Sequence, residues 1–238
     1  MASLIRLHLP SPLSPGATLA TSAAQAHYLG AVMRRRAGDP LLVFNAGSGE
    51  FAATIDALDR RAATLVLGAR TRAPQPEPDC WLCFAPLRRD MTELVVEKAT
   101  ELGVSRLVPV LTARTQPARL RADRLAAIAT EAAEQSERLT IPDIAEPAPL
   151  AAFLASFPPS RRLFVAAERH AAPPLSPADP LQPHALLVGP EGGLAPEELD
   201  AMARHAFVSP VTLGPRILRA ETAAIAGLAR LLAGSAPS

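Results

Sequence analysis

The chain has 238 residues, 49% of them apolar and 20% charged, with a formal net charge of +1. That length allows one large domain or two modest ones with a sizeable core, and the composition excludes a disordered or fibrous chain. No run approaches the ~18 consecutive apolar residues of a membrane span, and no basic segment leads into an apolar one at the N-terminus, so a soluble, cytoplasmic protein with no membrane association is expected.

Charge is unevenly distributed. Residues 1–72 carry eight Arg against four acids, a surplus of four, whereas the remainder is −3. The N-terminal part is therefore the better candidate for touching a polyanion. In it, Leu4 to Leu9 reads as a strand and Ala23 to Met33 as a short helix. Leu41 to Asn45, Glu50 to Ala57 and Ala63 to Leu67 read as strands joined by turns at Ala46–Gly49 and Asp59-Arg60. Several short strands with one helix make a small barrel. Arg34-Arg35-Arg36 either faces such a polyanion or is a solvated helix end whose cations complement the dipole.

Ala73-Pro74-Gln75-Pro76-Glu77-Pro78 is a stiff, proline-spaced segment. It predicts a boundary, with residues 1–72 as one domain and 73–238 as the other, 73–79 being the linker. Beyond it, Trp81 to Ala85 is a strand, and Asp90 to Leu102 a helix that Gly103 ends. Arg106 to Leu111 is the next strand, Arg121 to Arg138 a helix with Leu125, Ile128, Ala129 and Ala132 inward, and Leu163 to Ala167 a further strand. The alternation predicts an α/β domain with a parallel sheet. Cys80 and Cys83 stand alone. A zinc site would need a second pair or spaced histidines, and His8, His27, His170, His184 and His205 show no ligand spacing, so the pair reads as structural and no metal is expected.

Two glycine-punctuated turns close the chain, each between an apolar run and a helix. Ala185-Leu186-Leu187-Val188 leads into Gly189-Pro190-Glu191-Gly192-Gly193-Leu194 and a helix opened by Pro196-Glu197-Glu198. Phe207 to Leu213 leads into Gly214-Pro215-Arg216-Ile217-Leu218-Arg219-Ala220 and a helix from Glu221 to about Leu232. In parallel βα units ligands sit at the carboxyl ends of strands, so both turns are candidates for one site. A phosphate is disfavoured at the first turn, because Glu197, Glu198 and Asp200 already satisfy the helix dipole and neither phosphate-loop pattern is present. The last helix is apolar around nearly its whole circumference, which predicts burial.

These turns, with Glu97-Lys98-Ala99-Thr100-Glu101-Leu102-Gly103 and Glu131-Ala132-Ala133-Glu134-Gln135-Ser136, closely resemble the ribosomal RNA small subunit methyltransferase E family of the SPOUT superfamily. The resemblance spans nearly the whole chain. It implies a C-terminal SPOUT α/β domain with a deep trefoil knot, an N-terminal PUA-like β-barrel that binds RNA, and a homodimer formed through the C-terminal domain. It implies S-adenosylmethionine as methyl donor and N3 of a 16S rRNA uridine in the small ribosomal subunit as acceptor. Ala166, Val188, Gly189, Pro190, Glu191, Gly193, Leu213, Gly214, Ile217 and Leu218 would bind the cofactor, and Arg34, Arg36, Arg88 and Arg114 the RNA. The chain departs from the family pattern at Leu194, where an aromatic is usual, at Glu137, where glycine is common, and at Arg88, where lysine is frequent. A SPOUT enzyme for another RNA such as tRNA, and a catalytically silent RNA-binding or ribosome-assembly factor, are the alternatives.

Methylating an imide nitrogen requires that its proton leave and that charge spreading to O2 and O4 be stabilised. Arg216 or Arg219 is the expected electrostatic partner and Glu191 the expected base, whereas Glu221 reads as a helix-start carboxylate. The imide proton of a paired base is occupied, so the target must be unpaired or flipped out.

Overall fold

The structure, a computed structural model, describes residues 4–116, 120–167 and 172–233. The chain divides into two compact units, residues 1–76 together with 133–141, and residues 77–132 together with 142–238.

The first unit is built on a five-stranded sheet in the order β1-β3-β4-β5-β2. β1 is Arg6–His8, β2 Thr18–Ala20, β3 Pro40–Asn45, β4 Gly49–Leu58 and β5 Ala63–Arg72. β1 runs parallel to β3 and the other pairings are antiparallel. Alternate residues of the long strands, including Leu41, Val43, Ala53, Ile55, Leu65 and Leu67, fill one core with Leu7 and Leu29, as the two-residue period of a half-buried strand requires. The short helix predicted here is α1, Ala23–His27, followed by a π-helical turn over Tyr28–Val32. Ser22 and Gln25 close a capping box at its start.

The remaining part of this unit comes from far along the chain. Helix α3, Ala122–Gln135, ends against the barrel, and Ala133, Leu139 and Ile141 pack on Phe44. Arg6 secures this segment. Its Nε donates to Glu50 at 2.7 Å, Nη1 to the carbonyls of Ala133 and Glu134, and Nη2 to that of Arg138. The side chains of Arg6 and Glu50 are only 4% and 5% exposed, and the guanidinium lies 4.2 Å from the centre of the Phe44 ring. Glu50 also accepts from the Thr71 hydroxyl at 2.9 Å. A buried ion pair is tolerated only when its remaining donors and lone pairs are satisfied, and this one uses helix-end carbonyls for the purpose. Glu137, in the turn that follows, has φ +61°, which is why glycine suits that position.

The second unit is a parallel sheet in the order β12-β10-β11-β6-β7-β8, with β9 pairing separately on β7. β6 is Cys80–Phe84, β7 Arg106–Leu111, β8 Asp143–Ile144, β9 Ala148–Pro149, β10 Arg162–Ala166, β11 His184–Val188 and β12 Val208–Val211. Its other helices are α2 (Arg89–Leu102), α4 (Leu150–Ser156), α5 (Pro196–Ala203) and α6 (Ala220–Leu231). All five residues of β11 are buried, the mark of a strand covered on both faces.

Helix α6 lies on β11, β6 and α2. It comes so close that a Cβ at Gly227 would stand 2.6 Å from Leu186 Cδ2. Its burial is one-sided: Ala223, Ala224, Gly227, Leu228 and Leu231 are buried, Ile225 and Ala226 are half-buried, and Ala229 is exposed. The expectation of a helix buried all round is thus corrected for the single chain: among the described residues nothing fully covers the face that carries Ile225, Ala226 and Ala229. Among the described residues no helix is long and apolar enough to cross a membrane.

At the amino edge of this sheet, Trp81 carries the guanidiniums of Arg161 and Arg106 at 3.8 and 4.9 Å. Partial burial pushes the Asp79 carboxyl up, but the hydrogen bond and charge of Arg161, with help from Ser105, outweigh it and hold it below its usual range. Cys80 and Cys83 are free and buried, and burial pushes the Cys80 thiol up to about 12. They are inert wall residues, as the sequence suggested. Among the described residues no three metal-ligating side chains form a cluster; His170 lies outside those residues.

Two outcomes are expected. Glu137→Gly relieves a left-handed non-glycine residue and raises the free energy of unfolding by about 0.5–1 kcal/mol, measured by urea titration. Burial lowers the pKa of His184 from 6.5, with the Gln182 carbonyl opposing and Arg161 assisting. Above pH 6.5 the ring is neutral folded or unfolded; below it the unfolded chain takes the proton first, so stability falls as pH drops. Between pH 7 and 5.5 the melting temperature falls, and it falls less in His184→Gln.

A cleft at the carboxyl edge of the sheet

The strands of the second unit all end on one edge, and the two predicted turns are found there. Strand β11 delivers Val188 and Gly189, with Ala85 N–H extending the β6 pairing onto the Val188 carbonyl. The turn closes on itself through Gly193 N–H, which donates to the Pro190 carbonyl at 2.8 Å. Leu194 folds back over Gly189, where an added Cβ would lie 2.9 Å from its Cγ. Leu194 thus occupies the place that an aromatic usually takes in the resembled pattern. Its half-buried side chain also packs on the core beneath.

Glu198 sets this loop against its neighbour. One carboxylate oxygen accepts from Ala195 N–H at 2.9 Å, at the start of α5, and the other from Ala113 N–H at 2.7 Å. The first-turn acid expected to satisfy the helix dipole therefore also anchors the loop after β7. From that loop Arg114 donates to the Gly192 carbonyl at 2.8 Å.

The result is a hollow of about 230 Å³ whose walls include Ala166, Val188, Gly189, Glu191, Gly193, Ile217 and Arg114. A second hollow of about 280 Å³ is walled by Leu213, Gly214, Pro215 and Arg216, and shares Ala166, Ala167 and Ile217 with the first. The second turn is fixed by the Thr212 hydroxyl, which accepts from Gly214 N–H and donates to the Gly214 carbonyl, and by Arg230, which donates to the Leu213 carbonyl. Gly193 has φ +71° and Gly214 φ +138°, and a Cβ at either would enter open space. Both turns thus present bare backbone to the cleft at positions where an L side chain would be strained and would take up ligand room.

Of the residues expected to bind a cofactor, Ala166, Val188, Gly189, Glu191, Gly193, Leu213, Gly214 and Ile217 line one or both hollows. Pro190 is buried beneath the loop, and Leu218 is half-buried outside both walls. Arg216 borders the second hollow. Arg219 lines neither; it is exposed at the N-cap of α6, where its carbonyl accepts from Ala223 N–H. Arg114, expected on RNA, stands in the wall of the first hollow, and Arg88 precedes α2 at a separate cavity. In the barrel unit Arg34 and Arg36 are exposed, and Arg34 has φ +54°. The carboxylate of Asp39 accepts from Arg36 N–H and holds this turn. The anchoring role of Glu198 and the second hollow's dependence on Arg230 were not read from sequence.

Residues 74–232 match the RNA methyltransferase domain family and residues 21–68 the RNA methyltransferase PUA domain family. The ribosomal RNA small subunit methyltransferase E of Rickettsia conorii is 31% identical over 214 residues, spanning 86% of this chain and 85% of that one. The chain belongs to the ribosomal RNA small subunit methyltransferase E family. The enzyme of that name from Synechocystis is 33% identical over 222 residues, 90% of this chain and 73% of that one. Among solved structures, the family member from Neisseria gonorrhoeae bound to S-adenosylmethionine superposes with a TM-score of 0.85, at 28% identity and 97% coverage of both chains. A methyltransferase of Legionella pneumophila with the same bound cofactor also gives 0.85, at 28% identity and 98% coverage of both. The fold is accordingly a SPOUT methyltransferase domain with a PUA-like N-terminal domain.

Replacing Gly214 by Val forces φ +138° on a β-branched residue and fills the cleft. The variant is expected to bind S-adenosylmethionine at least tenfold more weakly in calorimetry, with its circular dichroism unchanged.

Proposed function

We propose that this protein transfers the methyl group of S-adenosylmethionine to N3 of a uridine in 16S rRNA, acting on the small ribosomal subunit in the cytoplasm. The observation that carries this reading is the double cleft at the ends of β10, β11 and β12, lined by two left-handed glycines that leave backbone open to a ligand. Its open backbone and, among the described residues, its single wall carboxylate, Glu191, suit a cofactor with a cationic end.

Bound there, S-adenosylmethionine supplies a methyl group already activated by its sulfonium, so the protein has only to orient, exclude water and complement charge. Glu191, exposed on the lip of the first hollow, accepts the N3 proton directly or through one water. Arg216, on the second hollow, offers its guanidinium to the charge developing on O2 and O4. Arg219, outside both walls, is the weaker candidate for that role. Ala166 and Ile217, shared by both hollows, provide apolar surface common to the two. The exposed Arg34 and Arg36 of the barrel hold rRNA phosphates.

Dimerisation through the C-terminal domain follows the same reading. The only partly covered apolar face of α6, with Ile225 and Ala226 half-buried and Ala229 exposed, together with Ile217 at 60% exposure, supports it.

The deciding experiment incubates the purified protein with labelled S-adenosylmethionine and 30S subunits from cells lacking it, and then maps the modified nucleotide by mass spectrometry. One 3-methyluridine in 16S rRNA is expected; label in tRNA only, or none, overturns the reading. Arg216→Ala should lower kcat at least tenfold with little change in rRNA affinity, and Arg219→Ala should lower it less. Arg34→Ala with Arg36→Ala should instead reduce the slope of log affinity against log salt by ~1 for each phosphate no longer held, leaving cofactor affinity unchanged.

A further inference from the structure

A separate cavity of about 400 Å³ opens in the second unit between the first turns of α2 and α3. Among the described residues four arginines border it, Arg88, Arg89, Arg121 and Arg124, over buried Leu87 and Leu125. Its one carboxylate, Glu93, is divided between Arg89 Nε at 2.9 Å and Arg124 Nη2 at 3.1 Å. Arg121 is paired with Asp123 at 2.7 Å, and the Arg88 side chain has no partner among the described residues. Cations exceed carboxylates even with Asp123 counted. The pairs are solvent-exposed, so each holds its arginine weakly and yields it readily to a better anion. A phosphate oxygen pair matches the guanidinium fork in the same bidentate way.

Position narrows the ligand. Leu87 and Arg88 follow the end of β6, and Gln116 comes from the loop after β7, the loop whose Arg114 holds the Gly192 carbonyl in the methyl-donor cleft. Cavity and cleft thus lie on the same carboxyl edge of one sheet and share a loop. Inorganic phosphate would use the arginines and leave the leucine floor bare, whereas a nucleotide covers both.

We propose that this cavity receives a nucleotide of the RNA strand next to the one methylated, with its phosphate on Arg88, Arg121 and Arg124 and its ribose and base over Leu87 and Leu125. The proposal rests on the rRNA methyltransferase reading above. It makes the α2–α3 cavity a substrate subsite that steers the target base into the cleft.

The test uses the full-length protein with purified 16S rRNA in filter binding, and Arg88→Glu and Arg121→Glu as separate variants. Each reversal should weaken rRNA binding about tenfold and lower the salt slope by ~1. S-adenosylmethionine affinity stays as in the parent, KM for rRNA rises with kcat changed less than twofold, and Arg88→Lys recovers most of the binding. If the parent methylates rRNA but both reversals bind it within twofold of the parent, the subsite is overturned and the functional reading stands. A parent that transfers no methyl group to any rRNA overturns that reading and the subsite with it.

Discussion

The site depends on a strand that cannot move. β11 is buried along all five residues and paired on both sides, by β10 and by β6. Helix α6 presses on it through Gly227 at a distance that admits no side chain. A strand locked on both edges and at least one face delivers its last residue, Val188, to a fixed point. The backbone loop that begins at Gly189 inherits that precision. The path of the loops is then set locally: by two glycines with positive φ, and by a Glu198 carboxylate that joins two loops through backbone N–H groups rather than through longer side chains.

Burial and exposure put the arginines of this chain to different uses. In the barrel unit Arg6 and Glu50 are withdrawn from water and all three nitrogens of the guanidinium are engaged, three of its hydrogen bonds going to carbonyls at and just beyond the end of α3. In the second unit the arginines of the α2–α3 cavity keep their solvent and hold their carboxylates loosely. Burial converts one cation into structure, and exposure leaves the others available to a polyanion.

Much of this could be read from the chain. The strands at Arg106–Leu111 and His184–Val188, the inward face Leu125, Ile128, Ala129 and Ala132 of α3, and the Gly103 stop of α2 follow from periodicity and punctuation, and the structure has them within a residue or two. Helix α4 was not foreseen, because its seven residues lie among prolines and are too short for a period to emerge. The two-residue strands β8 and β9 leave no pattern at all. The cleft was legible in its glycines, but the sequence could not choose between Arg216 and Arg219, three residues apart. The backbone path puts Arg216 on the wall of the second hollow and Arg219 at the N-cap of α6, outside both walls. The attachment of residues 133–141 to the barrel was equally hidden, since hydrogen bonds from Arg6 to carbonyls more than 120 positions away carry no local signature.

That attachment bears on how the protein is made. Glu50 leaves the ribosome 83 residues ahead of Ala133, a gap on the order of ten seconds at ordinary elongation rates. Throughout that interval the Arg6 guanidinium has a carboxylate but none of its carbonyl partners, and Phe44 lacks the Ala133–Leu139 cover. The first unit to emerge therefore cannot finish folding until residue 141 has been made, although it still does so ahead of the second, which needs the chain beyond residue 142. The barrel thus stays unfinished, with Phe44 uncovered, until a segment far along the chain has left the ribosome.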